Sequence, residues 1–146
     1  MDEGRTTGEP RLIMNSVVLD TDVASLIFKG ELPDSTAARL IGYRPCITFV
    51  TLAELAKWVE LRSWGPRRRD QLARWLNAMA ILPGTSLVAR KWGEISAFAV
   101  KRGRPRPQND TWIAASCLVY DVPLATLNVK DFADFVDYEG LELISH

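Results

Sequence analysis

The chain has 146 residues, 47% hydrophobic and 25% charged, with 18 basic and 18 acidic side chains and no net charge. That length and balance fit one ordinary globular domain with a real core, and no apolar run approaches the roughly 20 residues of a bilayer span. A single histidine, His146, excludes histidine-based zinc sites and makes a Ser-His-Asp or Cys-His triad untenable.

Residues 1–13 carry Gly4, Gly8 and Pro10 without periodicity and read as a disordered arm, distinct from the domain proper at 14–146. Met14 is an alternative start of translation to Met1. The polar stretch from Met1 to Arg11 does not resemble a signal peptide, so the cytoplasm is the expected compartment. Ser16-Val17-Val18-Leu19-Asp20 reads as a buried strand, followed by a helix at 22–29 and a second near 35–42, started by Asp34 or Ser35 as cap. A strand at 46–50 leads into a helix at 52–63. Gly65-Pro66 breaks the chain, and Pro66 suits the start of the next helix, 67–79. A short strand, 80–82, ends at Pro83-Gly84. The helix at 86–101 has Leu87, Val88, Trp92, Ile95, Phe98 and Ala99 at helical spacing and stops at Gly103. Arg104-Pro105-Arg106-Pro107 is a stiff loop leading to a helix opened by Asn109 and Asp110. A strand at 124–126, a short helix near 131–136 and a last strand at 141–144 complete the chain. Cys46 and Cys117 fall in a strand and a buried helix, as small buried thiols do. Strands alternating with helices predict a single α/β domain with a mainly parallel sheet of about five strands, flanked by helices.

Four carboxylates lie where these strands end or helices begin: Asp20, Glu54, Asp110 and Asp131. Acids at the carboxyl ends of parallel strands mark where an α/β fold builds its site. Two carboxylates about 5 Å apart repel by about 3 kcal/mol at an effective dielectric near 20. A hard divalent cation turns that penalty into binding energy, so the pattern suggests Mg²⁺ or Mn²⁺. Structural alternatives exist for most of these acids. Asp22 reads as the cap of the first helix, whereas Asp20 has no comparable structural role. Thr51-Leu52-Ala53-Glu54 is a capping-box pattern. Asn109 and Asp110 are good caps for the helix that follows, and Asp131 for the helix of Phe132 to Phe135.

Zero net charge hides a segregation. Residues 57–74 carry Lys57, Arg62, Arg67, Arg68, Arg69 and Arg74 against Glu60 and Asp70, and residues 90–106 carry six cations against Glu94 alone. The tail from Asp131 onward is acidic. Two basic stretches suit a polyanion, although solvated helix faces look the same.

The motifs at these positions resemble those of a known family. Val17-Val18-Leu19-Asp20-Thr21-Asp22-Val23-Ala24-Ser25 is similar to the opening block of PIN-domain nucleases, particularly the VapC ribonuclease toxins of toxin–antitoxin pairs. Thr51-Leu52-Ala53-Glu54-Leu55 resembles their second block and Asn109-Asp110-Thr111-Trp112-Ile113-Ala114-Ala115 their third. Leu124-Ala125-Thr126-Leu127-Asn128-Val129-Lys130-Asp131-Phe132 resembles the fourth. The blocks occur in family order. Asp22 stands where the family often has Asn, an additional acid that would raise metal affinity or admit a second ion.

The resemblance implies a metal-dependent endoribonuclease. Asp20 and Asp110 would be the principal ligands of Mg²⁺ or Mn²⁺. Glu54 and Asp131 would complete the pocket by direct ligation, through water, or by activating the attacking water. Thr126 and Asn128 would orient that shell, with Asp22 in support. Hydrolysis should leave a 5′-phosphate and a 3′-hydroxyl. Arg67, Arg68 and Arg69, with Arg102, Arg104 and Arg106, are the candidates for bringing in RNA, whether transfer, ribosomal or messenger. The implied partners are a small VapB-like antitoxin docking near the helices at 52–79 and a second copy in a homodimer, with heterotetramers or larger assemblies in the complex. Two rivals are a degenerate PIN module that binds RNA or protein without turnover, and a haloacid-dehalogenase-like phosphatase using Asp20 as nucleophile. The second is poorly served by Asp131 and Asp134 as its paired acids and by the short chain.

Overall fold

A computed structural model describes residues 15–144. The predicted arm at 1–13 and the alternative start at Met14 lie outside the described residues. Among the described residues five strands, β1 (Ser16–Leu19), β2 (Arg44–Thr48), β3 (Ala80–Leu82), β4 (Leu124–Ala125) and β5 (Leu143–Ile144), form one sheet in the order β3-β2-β1-β4-β5. Every pairing is parallel, so the sheet is wholly rather than mainly parallel. Among the described residues seven helices make the crossovers: α1 (Thr21–Lys29), α2 (Asp34–Arg39), α3 (Phe49–Leu61), α4 (Pro66–Asn77), α5 (Ser86–Lys101), α6 (Gln108–Tyr120) and α7 (Val129–Glu139).

The strand order places a switch point beside β1. The chain winds outward from β1 through β2 to β3, then returns to the other side of β1 for β4 and β5. Connections leave β1 and β4 in opposite directions, opening a crevice at their carboxyl ends, where α/β sheets bind ligands.

Alternation along β1 splits the core between two faces of the sheet. Val18, Cys46, Leu82 and Leu124 pack under Val88 and Ile95 of α5, Ile113, Ala114 and Cys117 of α6, and Phe132 and Phe135 of α7. Val17, Leu19, Ile47 and Ala125 pack on the other side against Val23 and Ala24 of α1, with Leu52, Trp75 and Leu76. Both cysteines are buried and free, and burial pushes the Cys46 thiol up to about 11. Among the described residues no helix is long and apolar enough to cross a membrane.

Several boundaries differ from the sequence reading, each for a local reason. The strand expected at 46–50 runs from Arg44 to Thr48, and α3 begins at Phe49. Thr48 caps that helix, its hydroxyl accepting from the Thr51 amide at 3.3 Å. The second helix ends at Arg39 rather than 42, and Pro33 precedes it without a side-chain cap, so neither Asp34 nor Ser35 caps it. α7 is nearly twice the expected length, ending where Gly140 adopts φ 75° and its amide returns to the last turn.

Candidate active site

The side chain that ends β1 also starts α1. Asp20 is buried, and its Oδ1 accepts from the Val23 amide at 2.9 Å, which makes Asp20, not Asp22, the cap of α1. Asp22 sits in the first turn instead, where its Oδ2 accepts from Asn128 Nδ2 at 3.0 Å. Burial raises the Asp20 pKa most; hydrogen bonds from Thr126 and the Val23 amide oppose that, and the charges of Asp22 and Glu54 add to it. Thr126 therefore stands behind Asp20, and its hydroxyl also accepts from the Asn128 amide at 2.9 Å, shaping the turn after β4.

Glu54 is not the capping-box partner its sequence context suggests, because α3 starts earlier, at Phe49. It projects from the second turn toward α1, and its Oε1 accepts from the Thr21 hydroxyl at 2.5 Å. Since Thr21 gives its one proton to the carboxylate, the Thr51 hydroxyl, 2.9 Å away and fully buried, donates to Thr21. The second oxygen, Oε2, accepts from Asn109 Nδ2 at 3.1 Å. Asn109 thus binds Glu54 rather than capping its own helix, which follows Pro107 without a side-chain cap. Asp110 and Asp131 lie in the first turns of α6 and α7 and cap neither, since α7 follows Asn128.

These elements converge on one cavity of about 140 Å³. It is lined by Asp20, Asp22, Glu54, Asp110, Asp131, Thr21 and Asn128, with Trp58, Ile113 and Phe132 as its apolar wall. All four candidate catalytic acids meet there. Asp110 registers the crowding: its carboxyl is pushed up to about 6, first by burial and then by the charges of Asp131, Asp20, Glu54 and Asp22. The donor set is entirely hard oxygen, the kind that suits magnesium or manganese rather than zinc or copper. Among the described residues no group of three or more acids is arranged so as to hold a metal ion as it stands. The fit to a divalent ion rests on donor chemistry and on the repulsion that an ion would relieve. Sequence reasoning missed Thr21 and Thr51, and gave Asn109 the wrong task. The Thr21 hydroxyl, one residue from Asp20, was the available signal.

None of the six candidate arginines lines this cavity. Arg69 pairs with Glu60 at 2.7 Å and donates through Nε to the Trp64 carbonyl, and Arg68 lies over the Trp64 ring. Arg67 is exposed in the first turn of α4. The segment 102–106 turns inward onto α7. Arg102 is wedged against the rings of Phe98 and Tyr138, and Arg104 lies 3.5 Å from Asp134. The Arg106 side chain, 5% exposed, sits 2.8 Å from Glu139 and donates to the Asp134 carbonyl at 3.3 Å.

An open parallel sheet with acids gathered at its switch point defines the class, an α/β domain with a carboxylate basin. A PIN-domain family model matches residues 17–137, and the chain belongs to that family. Ribonuclease VapC1 of Haemophilus influenzae strain R2866 is 26% identical over 129 residues, covering 84% of this chain and 93% of the relative. The solved structure of VapBC-1 from nontypeable Haemophilus influenzae is 26% identical with TM-score 0.72, over 88% of this chain and 96% of that one. VapBC-5 from Mycobacterium tuberculosis, of the VapBC family of toxin-antitoxin systems, is 29% identical with TM-score 0.62, over 90% and 99%. VapBC2 from Rickettsia felis, bound to a DNA fragment from their promoter, shares the fold with TM-score 0.74 at 22% identity, over 88% and 96%.

Proposed function

We propose that this protein is a metal-dependent endoribonuclease, the toxin of a toxin–antitoxin pair. The observation that carries the reading is the convergence of Asp20, Glu54, Asp110 and Asp131 on one cavity at the sheet's switch point. Similarity to Ribonuclease VapC1 supports the reaction class. Asp20 and Asp110 would hold Mg²⁺ or Mn²⁺. A divalent ion there would lower the pKa of water and offset charge on the phosphate in flight.

The chain's own residues do the rest. Thr126 and the Val23 amide hold Asp20, and Thr21 and Asn109 hold Glu54 at both oxygens. Such restraint keeps carboxylates in place before the substrate arrives. Glu54 and Asp131 complete the basin and take up the proton lost by the attacking water. In-line attack breaks the bond from phosphorus to the 3′ oxygen, which departs and takes a proton from solvent, leaving a 3′-hydroxyl and a 5′-phosphate with no covalent intermediate.

The family assignment and the intact basin favour this over a non-catalytic module and over a phosphatase. The structural neighbours VapBC-1 and VapBC-5, the latter of the VapBC family of toxin-antitoxin systems, support an antitoxin as partner. A cytoplasmic location and a homodimer belong to the same reading. Purified protein incubated with total bacterial RNA, with Mg²⁺ or Mn²⁺ against EDTA and Asp20→Asn beside it, tests it. Discrete metal-dependent fragments that vanish in the variant are expected; intact RNA in every lane would overturn the reading.

A further inference from the structure

The five tryptophans divide by surroundings. Trp64 and Trp75 close on Phe28 with ring centroids 5.9 and 5.7 Å away. Trp92 and Trp112 stack at 4.9 Å, with Phe49 edge-on to Trp112. These four pack the helices together. Among the described residues only Trp58 has no aromatic ring beside it, and it is the tryptophan that borders the acidic cavity. Its ring carries a cation instead: the exposed Arg62 guanidinium lies 4.9 Å from the indole centroid.

Spacing along α3 gives this arrangement a direction. Glu54 and Trp58 lie four residues apart on one face of α3, and Arg62, the residue that closes the helix, follows at the same interval. One such step is about 6 Å along the axis. A phosphate placed against the carboxylates would thus have its neighbouring nucleotide beside the indole and the next stretch of backbone near Arg62. An indole at this wall neither ligates an ion nor adds to the repulsion of a polyanion, and its π-face accepts any base. The cation stiffens the ring and supplies positive charge at a rim that is otherwise acidic.

We propose that Trp58, backed by Arg62, is a nucleobase platform that stacks the base adjacent to the scissile phosphate. The proposal rests on the ribonuclease reading and adds the residue that positions the strand. Stacking of one base is worth roughly 10-fold to 100-fold in affinity, so the platform should govern KM more than kcat.

The test uses single-stranded 12-nucleotide RNAs carrying 2-aminopurine at one position at a time, with Ca²⁺ in place of Mg²⁺ so that binding is read without turnover. The full-length protein should quench the fluorophore at one position or two adjacent ones. Trp58→Phe should retain that quenching, whereas Trp58→Leu, which keeps an apolar side chain at the wall, should lose it. In Mg²⁺ or Mn²⁺, Trp58→Leu should raise KM for RNA cleavage roughly 10-fold to 100-fold with a smaller change in kcat, and Arg62→Ala should raise it less. Equal quenching by wild type and Trp58→Leu, or no quenching at any position, would overturn the platform. So would an unchanged KM in Trp58→Leu while wild type cleaves RNA. Failure of wild type to cleave would instead remove the ribonuclease reading beneath it.

Discussion

Replacing Asp110 by Asn should make the metal-free protein more stable while removing its activity. The carboxyl is raised from 3.8 to about 6 by burial and by four neighbouring acids. That difference corresponds to about 3 kcal/mol of excess cost on the ionised form, which solvent at its half-open position reduces to about 1–2 kcal/mol. The sign follows from proton binding. Between the unfolded value, 3.8, and the folded value, about 6, the native state holds more protons than the unfolded chain. Its stability therefore falls as pH rises through that window and stays low above it. Asn has the same shape without the charge, so at pH 7.5 in EDTA the variant should melt about 3–8 °C higher. At pH 4 the gap should close, because wild-type Asp110 is then largely neutral. Thermal melts of both proteins from pH 4 to 8 in EDTA check this. An equal or lower melting temperature for Asp110→Asn at pH 7.5 would refute the view that these acids crowd one another.

Asp20 carries two tasks that substitution can separate. Asp20→Asn should abolish cleavage with little loss of stability, since the amide oxygen still caps Val23, whereas Asp20→Ala should also lose about 1 kcal/mol in urea unfolding. Arg106→Met strands the buried Glu139 carboxylate and should cost about 3–5 kcal/mol, part of it recovered by adding Glu139→Gln. A loss below about 1 kcal/mol would show that the pair is not the clasp between α7 and the loop before α6. Gly84→Ala would set a methyl group 2.8 Å from the Phe49 ring, which is braced edge-on by Trp112. Such overpacking should lower stability by about 1–3 kcal/mol in the same assay.

Strands were the most legible part of the chain, because Val17, Val18 and Leu19 must be buried on both faces of a parallel sheet. Boundaries were less so where two residues compete for one task. Thr48 and Thr51 are equally good caps by type, and only the turn at the end of β2 decides that Thr48 takes the Thr51 amide. The same competition misassigned the cap of α1 between Asp20 and Asp22. The gathering of the acids could be read because each follows a strand or opens a helix at the same end of the sheet. Their supporting hydroxyls could not, since the bond from Thr21 to Glu54 joins residues 33 apart in sequence. The arginines at 102–106 illustrate the limit of charge patterning. Nothing in a Pro-rich basic loop announces that Arg106 turns inward to meet Glu139.

Titration of the metal-free protein with Mn²⁺ by calorimetry at pH 7.5 tests the metal basin most directly, with Asp20→Asn and Asp110→Asn run beside it. Saturable binding by wild type, weakened at least tenfold in both variants, is the predicted result. Binding of equal strength in all three proteins, or none in wild type, would contradict the assignment of Asp20 and Asp110 as the groups that hold the ion.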